Sequence, residues 1–188
     1  MSTTSCSLLS LGCVFGYVAP GDSTLTALRA LEVAQRRLRP EVRSKLLSIA
    51  SARTDATLTP EAWRFVFLDQ TTSGHCRVVT VASKASSQHP DVVEAFRSIP
   101  SESVRSLPAI RQKQLLFDSN MALQQVRRKA RLKGVLLVEY RLLQQPEDRE
   151  PVWLLSFYGK TPEPRASFHE GAETGATESC SVTADPVP

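Results

Sequence analysis

Two stretches decide the fold: Pro60-Glu61-Ala62-Trp63-Arg64-Phe65-Val66-Phe67-Leu68 and Glu150-Pro151-Val152-Trp153-Leu154-Leu155-Ser156-Phe157-Tyr158. In each, a proline and a glutamate lead into a tryptophan, and bulky apolar residues follow at every second position. Side chains alternate faces along a strand, so Trp63, Phe65 and Phe67 share one face, with Arg64, Val66 and Leu68 on the other. Trp153, Leu155 and Phe157 share a face in the same way. Each stretch predicts a strand with one strongly apolar face that needs a cover.

Further β-type runs flank both stretches. Leu46–Ala52 and Arg77–Ala82 lie around the first, and Val135–Leu143 and a weaker run near Arg165–His169 around the second. Turn chemistry separates them at Thr71-Thr72-Ser73-Gly74 and Pro146-Glu147-Asp148. Upstream, Asp22-Ser23-Thr24-Leu25 and Asp118-Ser119-Asn120-Met121 stand 96 residues apart. Each Asp-Ser pair reads as a helix N-cap. Leu25, Leu28, Leu31, Gln35 and Leu38 then follow helical spacing in the first case, and Ala122, Leu123, Val126 and Ala130 in the second. Gly134 is placed to close the second helix.

The order helix, strand, strand, strand thus occurs twice. Three antiparallel strands with one apolar face are not stable alone, and an amphipathic helix laid across that face buries both surfaces. The expected fold is α+β: two tandem helix-plus-three-stranded antiparallel units, with the helices packed on one face of the sheets. Residues 22–90 form the first unit and 118–179 the second. Residues 91–117 form a connector, in which Pro90-Asp91 and then Val92, Val93, Ala95, Phe96 and Ile99 predict a short helix. Residues 180–188 are a loose tail rich in small and polar residues. The expected core is Leu28, Leu31, Trp63, Phe65, Phe67, Leu123, Val126, Trp153, Leu155 and Phe157.

A helix followed by a three-stranded meander resembles the PepSY domain and, more loosely, the cystatin-like folds. The local resemblance lies in Gly171-Ala172-Glu173-Thr174-Gly175-Ala176-Thr177-Glu178, which is similar to the Asp-x-x-Thr-Gly-x-Val turn of PepSY units. Gly171 stands at the Asp position and Thr177 at the Val position. The matching region of the first unit, Lys84-Ala85-Ser86-Ser87, lacks Thr-Gly. The resemblance implies a non-catalytic, extracytoplasmic binding or accessory module that modulates a protease or accompanies an envelope protein. Its partner would be a protein, met through a strand edge or a hairpin loop. Gln70-Thr71-Thr72-Ser73-Gly74 lies where cystatins carry a Gln-x-Val-x-Gly wedge, with Thr72 at the Val position. Gln70, Thr72 and Gly74 are therefore the candidate hairpin-loop contacts.

An alternative rests on charge. Arg36, Arg37 and Arg39, continued by Arg43 and Lys45, end the first helix. Arg127, Arg128 and Lys129, continued by Arg131 and Lys133, end the second. Cations at helix C-termini complement the helix dipole. If gathered on one surface, they would instead bind an anion or nucleic acid.

Composition bounds these readings. The chain has 188 residues, 41% hydrophobic and 22% charged, with a net charge of +4 and a pI near 9.0. That suits a folded core and falls short of a dedicated nucleic-acid footprint. No nucleophile elbow, phosphate-binding loop or His-Glu-x-x-His motif occurs, so neither an enzyme nor a cofactor is expected. The four cysteines and three histidines show no metal-ligand spacing, so no metal is expected either. Cys76 and Cys180 pair only if the fold brings them together. Residues 1–21 have two readings: a degraded export signal ending at Ala19-Pro20-Gly21, or the apolar N-terminus of a cytoplasmic chain. No apolar stretch is long enough for an ordinary membrane-spanning helix.

Overall fold

A computed structural model describes residues 25–56, 60–72, 75–83, 91–95, 102–130 and 132–182. The two tryptophan-led runs are the strands β3 (Ala62–Leu68) and β7 (Val152–Tyr158). The others are β1 (Leu46–Ser51), β2 (Thr54–Asp55), β4 (Cys76–Ala82), β5 (Asp91–Ala95), β6 (Leu137–Leu143), β8 (Pro164–Gly171) and β9 (Thr177–Val182). The helices are α1 (Ala27–Arg36), α2 (Pro40–Arg43), α3 (Glu102–Arg105) and α4 (Ser119–Lys129), with a 3-10 turn at Gln112–Gln114.

The nine strands among the described residues join one antiparallel sheet in the order β5-β4-β3-β1-β6-β7-β8-β9, with β2 also pairing β6. The chain's first half thus supplies one side of the sheet and its second half the other. The halves meet where β1 pairs with β6, Ile49 opposite Leu142 and Ala50 opposite Arg141.

Three expectations need correcting. Asp91–Ala95 is a strand pairing with β4 from Ala82 to Val78, not the start of a connector helix. Val92 and Val93 are β-branched and lie beside an edge that can still accept a strand, which outweighs a proline at a first turn. The stretch assigned to a tail contributes Cys180–Val182 to β9. The first helix begins at Ala27 with Thr26 as N-cap, while Asp22, Ser23 and Thr24 lie outside the described residues. Residues 1–21 and 84–87 also lie outside them.

One face of the sheet carries the main core, which includes Leu31, Phe65, Phe67, Leu123, Val126, Leu155 and Phe157, all buried. Leu28 packs at its margin, partly exposed. At the centre Trp63 meets Trp153 edge-on at 6.3 Å and Tyr140 at 5.6 Å. Both indoles are fully buried, and each N–H donates to a carbonyl just before a helix. Trp63 Nε1 donates to Leu25 O at 2.6 Å, and Trp153 Nε1 donates to Phe117 O at 2.9 Å. Each tryptophan thereby ties the strand it opens to the start of the helix that covers it.

The two helices start together. Asp118 Oδ1 accepts from Ser119 N at 2.6 Å, capping α4, and from Leu28 N of α1 at 3.1 Å. Ser119 Oγ accepts from Ala27 N at 3.1 Å. One carboxylate thus serves orphan donors of two helices whose positive dipole ends meet there. From this point α1 and α4 run to opposite ends of the sheet. Arg39, just past α1, reaches Asp69 beyond β3, while Arg127 of α4 reaches Ala56, which is bonded to Leu136 ahead of β6.

Replacing Asp118 with alanine removes both caps. Asp118→Ala is expected to lower stability by about 2 kcal/mol, whereas Asp118→Asn, which keeps the acceptor oxygen, loses less than half as much. Urea denaturation of the two variants measures the difference.

Candidate binding surface

The sheet's second face has a different character. Leu47, Val66, Cys76 and Val78 form a small buried cluster there, with Leu68 and Val104 packed against it. Val104 comes from α3, which covers this corner. Beside that cover lies a groove of about 650 Å³. Its floor is β1, where Ser48, Ala50 and then Ala52 are small. Ala50 pairs with Arg64 on one side and Arg141 on the other, so the two arginines rise from strands flanking a low floor. Val66, Val104, Leu107 and Leu143 line the groove toward Ser48, and Glu139 lies on the side of Ala52.

Glu139 organises that end. Its carboxylate accepts from Arg141 Nη2 at 2.7 Å and from Tyr158 OH at 2.9 Å. Arg53 Nε stands 3.6 Å away, and the Arg53 guanidinium lies 3.8 Å above the Tyr158 ring. Burial pushes the Glu139 carboxyl up, but the hydrogen bonds and charges of Arg141, Tyr158 and Arg53 outweigh it and hold it below its ordinary value. Tyr158 is pushed up by burial and by the adjacent Glu139.

The hairpin after β3 is organised differently. Asp69, its side chain 1% exposed, accepts from Arg39 Nη2 and Arg77 Nε at 3.1 Å each and from the Thr71 hydroxyl at 2.6 Å. Those hydrogen bonds and charges overcome burial and lower its pKa. Of the residues proposed for a wedge, Gln70 is exposed and Gly74 lies outside the described residues. The Thr72 hydroxyl points into the loop, 2.9 Å from the carbonyls of both Asp69 and Cys76.

The basic residues at the helix ends do not converge. Arg36, Arg37 and Arg39 are exposed at one end of the sheet, and Arg127, Arg128 and Lys129 at the other. Arg39 holds Asp69 and Thr71, Arg127 donates to the Ala56 carbonyl, and Lys129 Nζ donates to Thr177 Oγ1 at 2.6 Å. Arg131 lies outside the described residues. Cys76 is a buried free thiol. Six strand steps separate β4 from β9, roughly 29 Å at sheet spacing, so Cys76 and Cys180 cannot pair within one chain.

The Thr174-Gly175 motif forms the turn between β8 and β9. Gly175 takes φ +66°, and its N–H donates to Gly171 O at 2.9 Å. Glu150, from the loop before β7, accepts from Glu173 N at 2.6 Å, Thr174 N at 2.9 Å and the Thr174 hydroxyl at 2.7 Å. The groove, by contrast, has residues that reading the sequence alone did not assemble: Arg64, Glu139 and Arg141. The usable signal was modest, namely that Arg64 occupies the outward position of an alternating strand.

No protein-family model, no curated protein and no solved structure matches this chain.

Burial pushes the Glu150 carboxyl up, but hydrogen bonds from Thr174 and Glu173 outweigh it, leaving it below its ordinary value in the folded protein. Its contribution to stability is therefore whole above the ordinary carboxylate range and disappears as pH falls through the lower folded value. Glu150→Gln is expected to cost about 1–2 kcal/mol at neutral pH and to flatten the acid side of the stability–pH curve. Denaturant midpoints measured across that range test both effects.

Proposed function

We propose that the chain is two copies of one helix-and-sheet unit, PepSY-like in plan, joined through β1 and β6. We propose further that it works as a non-catalytic module that binds a protein. Support for the two copies comes from the matched indole hydrogen bonds before α1 and α4, and from the strand order on either side of the β1–β6 pair. Aligned on those bonds, Ala27 corresponds to Ser119 and Trp63 to Trp153.

The observation that carries the binding reading is the groove at the junction. It lies on the face that the main core does not use, between arginine side chains and the α3 wall. Two details favour this face over the edge and hairpin routes. In β9, Ser181 pairs with Ser167 and Ser179 with Phe168, so Cys180 is an extra residue. Such a bulge bends an edge strand away from further pairing. The Thr72 hydroxyl, the central group of the hairpin reading, is directed at carbonyls of its own loop. The alternative of an anion- or nucleic-acid-binding surface loses weight because the two basic clusters stand at opposite ends of the sheet. An extracytoplasmic setting belongs to the same proposal and rests on the family resemblance and the apolar character of residues 1–21.

Ala50→Trp fills the floor of the groove without touching the main core. In affinity capture from the native host, the wild-type chain is expected to retain a protein that the folded Ala50→Trp chain loses. Equal retention by both, or recovery of nucleic acid alone, refutes the reading.

A further inference from the structure

The β8–β9 hairpin is secured near its turn by two carboxylates in opposite surroundings. Glu150 receives three donors from the turn itself: the N–H groups of Glu173 and Thr174 and the Thr174 hydroxyl. Several donors around one carboxylate favour its ionised form. Glu170 stands on the first rungs of the hairpin, paired with Thr177 of β9 on one side and Trp153 of β7 on the other. It shares the core face of β8 with Ala166 and Phe168 and is fully buried. Its Oε2 accepts from the Thr177 hydroxyl, and its Oε1 meets no donor among the described residues. A single neutral donor does not offset the desolvation of an anion, so this position suits the protonated acid.

The groups around Glu170 do little to change that balance. From α4, the exposed Lys129 donates to Thr177 Oγ1 at 2.6 Å and meets Glu170 only through that hydroxyl. Trp153 and Thr177 carry no charge. His169 and its register partner Glu178 occupy the next rung, where strand alternation assigns the opposite face. Burial therefore outweighs the Thr177 hydrogen bond and the Lys129 charge and raises the Glu170 carboxyl above its ordinary value.

We propose that Glu150 and Glu170 together make β9 a pH-gated edge strand, closed on β8 while Glu150 is ionised and Glu170 protonated, and loosened when either changes state. The signs are opposite. Glu170 costs the closed hairpin nothing below the ordinary carboxylate range. As pH rises toward its raised folded value, the open state releases the proton more readily and closure weakens. Glu150 acts in reverse, and its contribution is lost as pH falls through its lowered folded value. Closure is strongest between the two. The strain falls on β9 because it ends the strand order and holds only one neighbour among the described residues. The extra residue Cys180 also interrupts its ladder, so the Thr177 end can open before the rest. Opening exposes the backbone edge of β8.

Hydrogen exchange of the full chain, read amide by amide by NMR, tests this. Protection factors remove the intrinsic pH dependence of exchange, and the amides of β3 and β4 are the internal reference. From the ordinary carboxylate range to mildly alkaline pH, the amides of Thr177–Val182 are expected to lose protection at least about tenfold relative to the reference. That is the effect of leaving one buried polar group unpaired. Acidification below the Glu150 range produces a second loss. Glu170→Gln should abolish the alkaline loss and keep the acid one. Lys129→Met, which removes an exposed cation that favours ionisation, should deepen the alkaline loss. Protection of β9 that follows β3 and β4 at every pH overturns the proposal. So does an alkaline loss that persists in Glu170→Gln. If Glu170→Gln fails to fold, an alkaline loss unchanged in Lys129→Met overturns it instead.

Discussion

The carboxylate of Asp118 sets the plan of the molecule. Two helices begin side by side, each with unsatisfied N–H groups and a partial positive charge at its start. Left alone, these ends would repel and would be costly to bury. Asp118 accepts from Ser119 N, the first of α4, and from Leu28 N in the first turn of α1, and Ser119 Oγ accepts from Ala27 N, the first of α1. This fixes a common origin for α1 and α4. Because β1 and β6 are antiparallel, helices that leave this origin along their own strands must diverge. The divergence separates the two arginine-rich ends and lets both helices cover a single face of the sheet. The other face is left to α3 and the groove.

The tryptophans transmit this constraint to the sheet. Each indole N–H is buried and would carry a substantial penalty without a partner. Its partner is a carbonyl just before a helix, so the start of β3 or β7 and the entry of the helix that covers it are fixed to each other. Trp63 and Trp153 also touch edge-on, which brings the halves of the chain together above the β1–β6 pair. The seam contains few direct backbone pairs, and buried aromatic contact with Tyr140 and both indoles reinforces it.

Features governed by short-range patterning were legible in the sequence. The alternation around Trp63 and Trp153 identified β3 and β7 nearly to the residue, and the neighbouring runs located β1, β4, β6 and β8. Features governed by distant partners were not. Asp22-Ser23 has good capping chemistry, yet α1 starts at Ala27 because the cap that matters is supplied by Asp118, 90 residues away in the chain. Asp91–Ala95 has a helix-like opening but becomes a strand because β4 offers an edge beside it. The groove was hidden for the same reason. Arg64, Ala50 and Arg141 come from three strands, and only the sheet order makes them neighbours.

The open face of an antiparallel sheet is ordinarily polar, because nothing covers it. Much of this face follows that rule, with Ser156 and Ser167 paired across β7 and β8. The groove departs from it in combining apolar walls with arginines over a small-residue floor. Arg64, Arg141 and Glu139 supply the polar character expected of an uncovered sheet face. Solubility alone does not account for alanine at Ala50 and Ala52 or for the α3 wall with Leu107 beside them. A long polar side chain on β1 would keep the face soluble and would also close the groove. Small residues at the seam instead leave a concave site where both halves of the chain contribute walls. A ligand held there would contact β3 and β6 together, so binding would be coupled to the integrity of the β1–β6 junction.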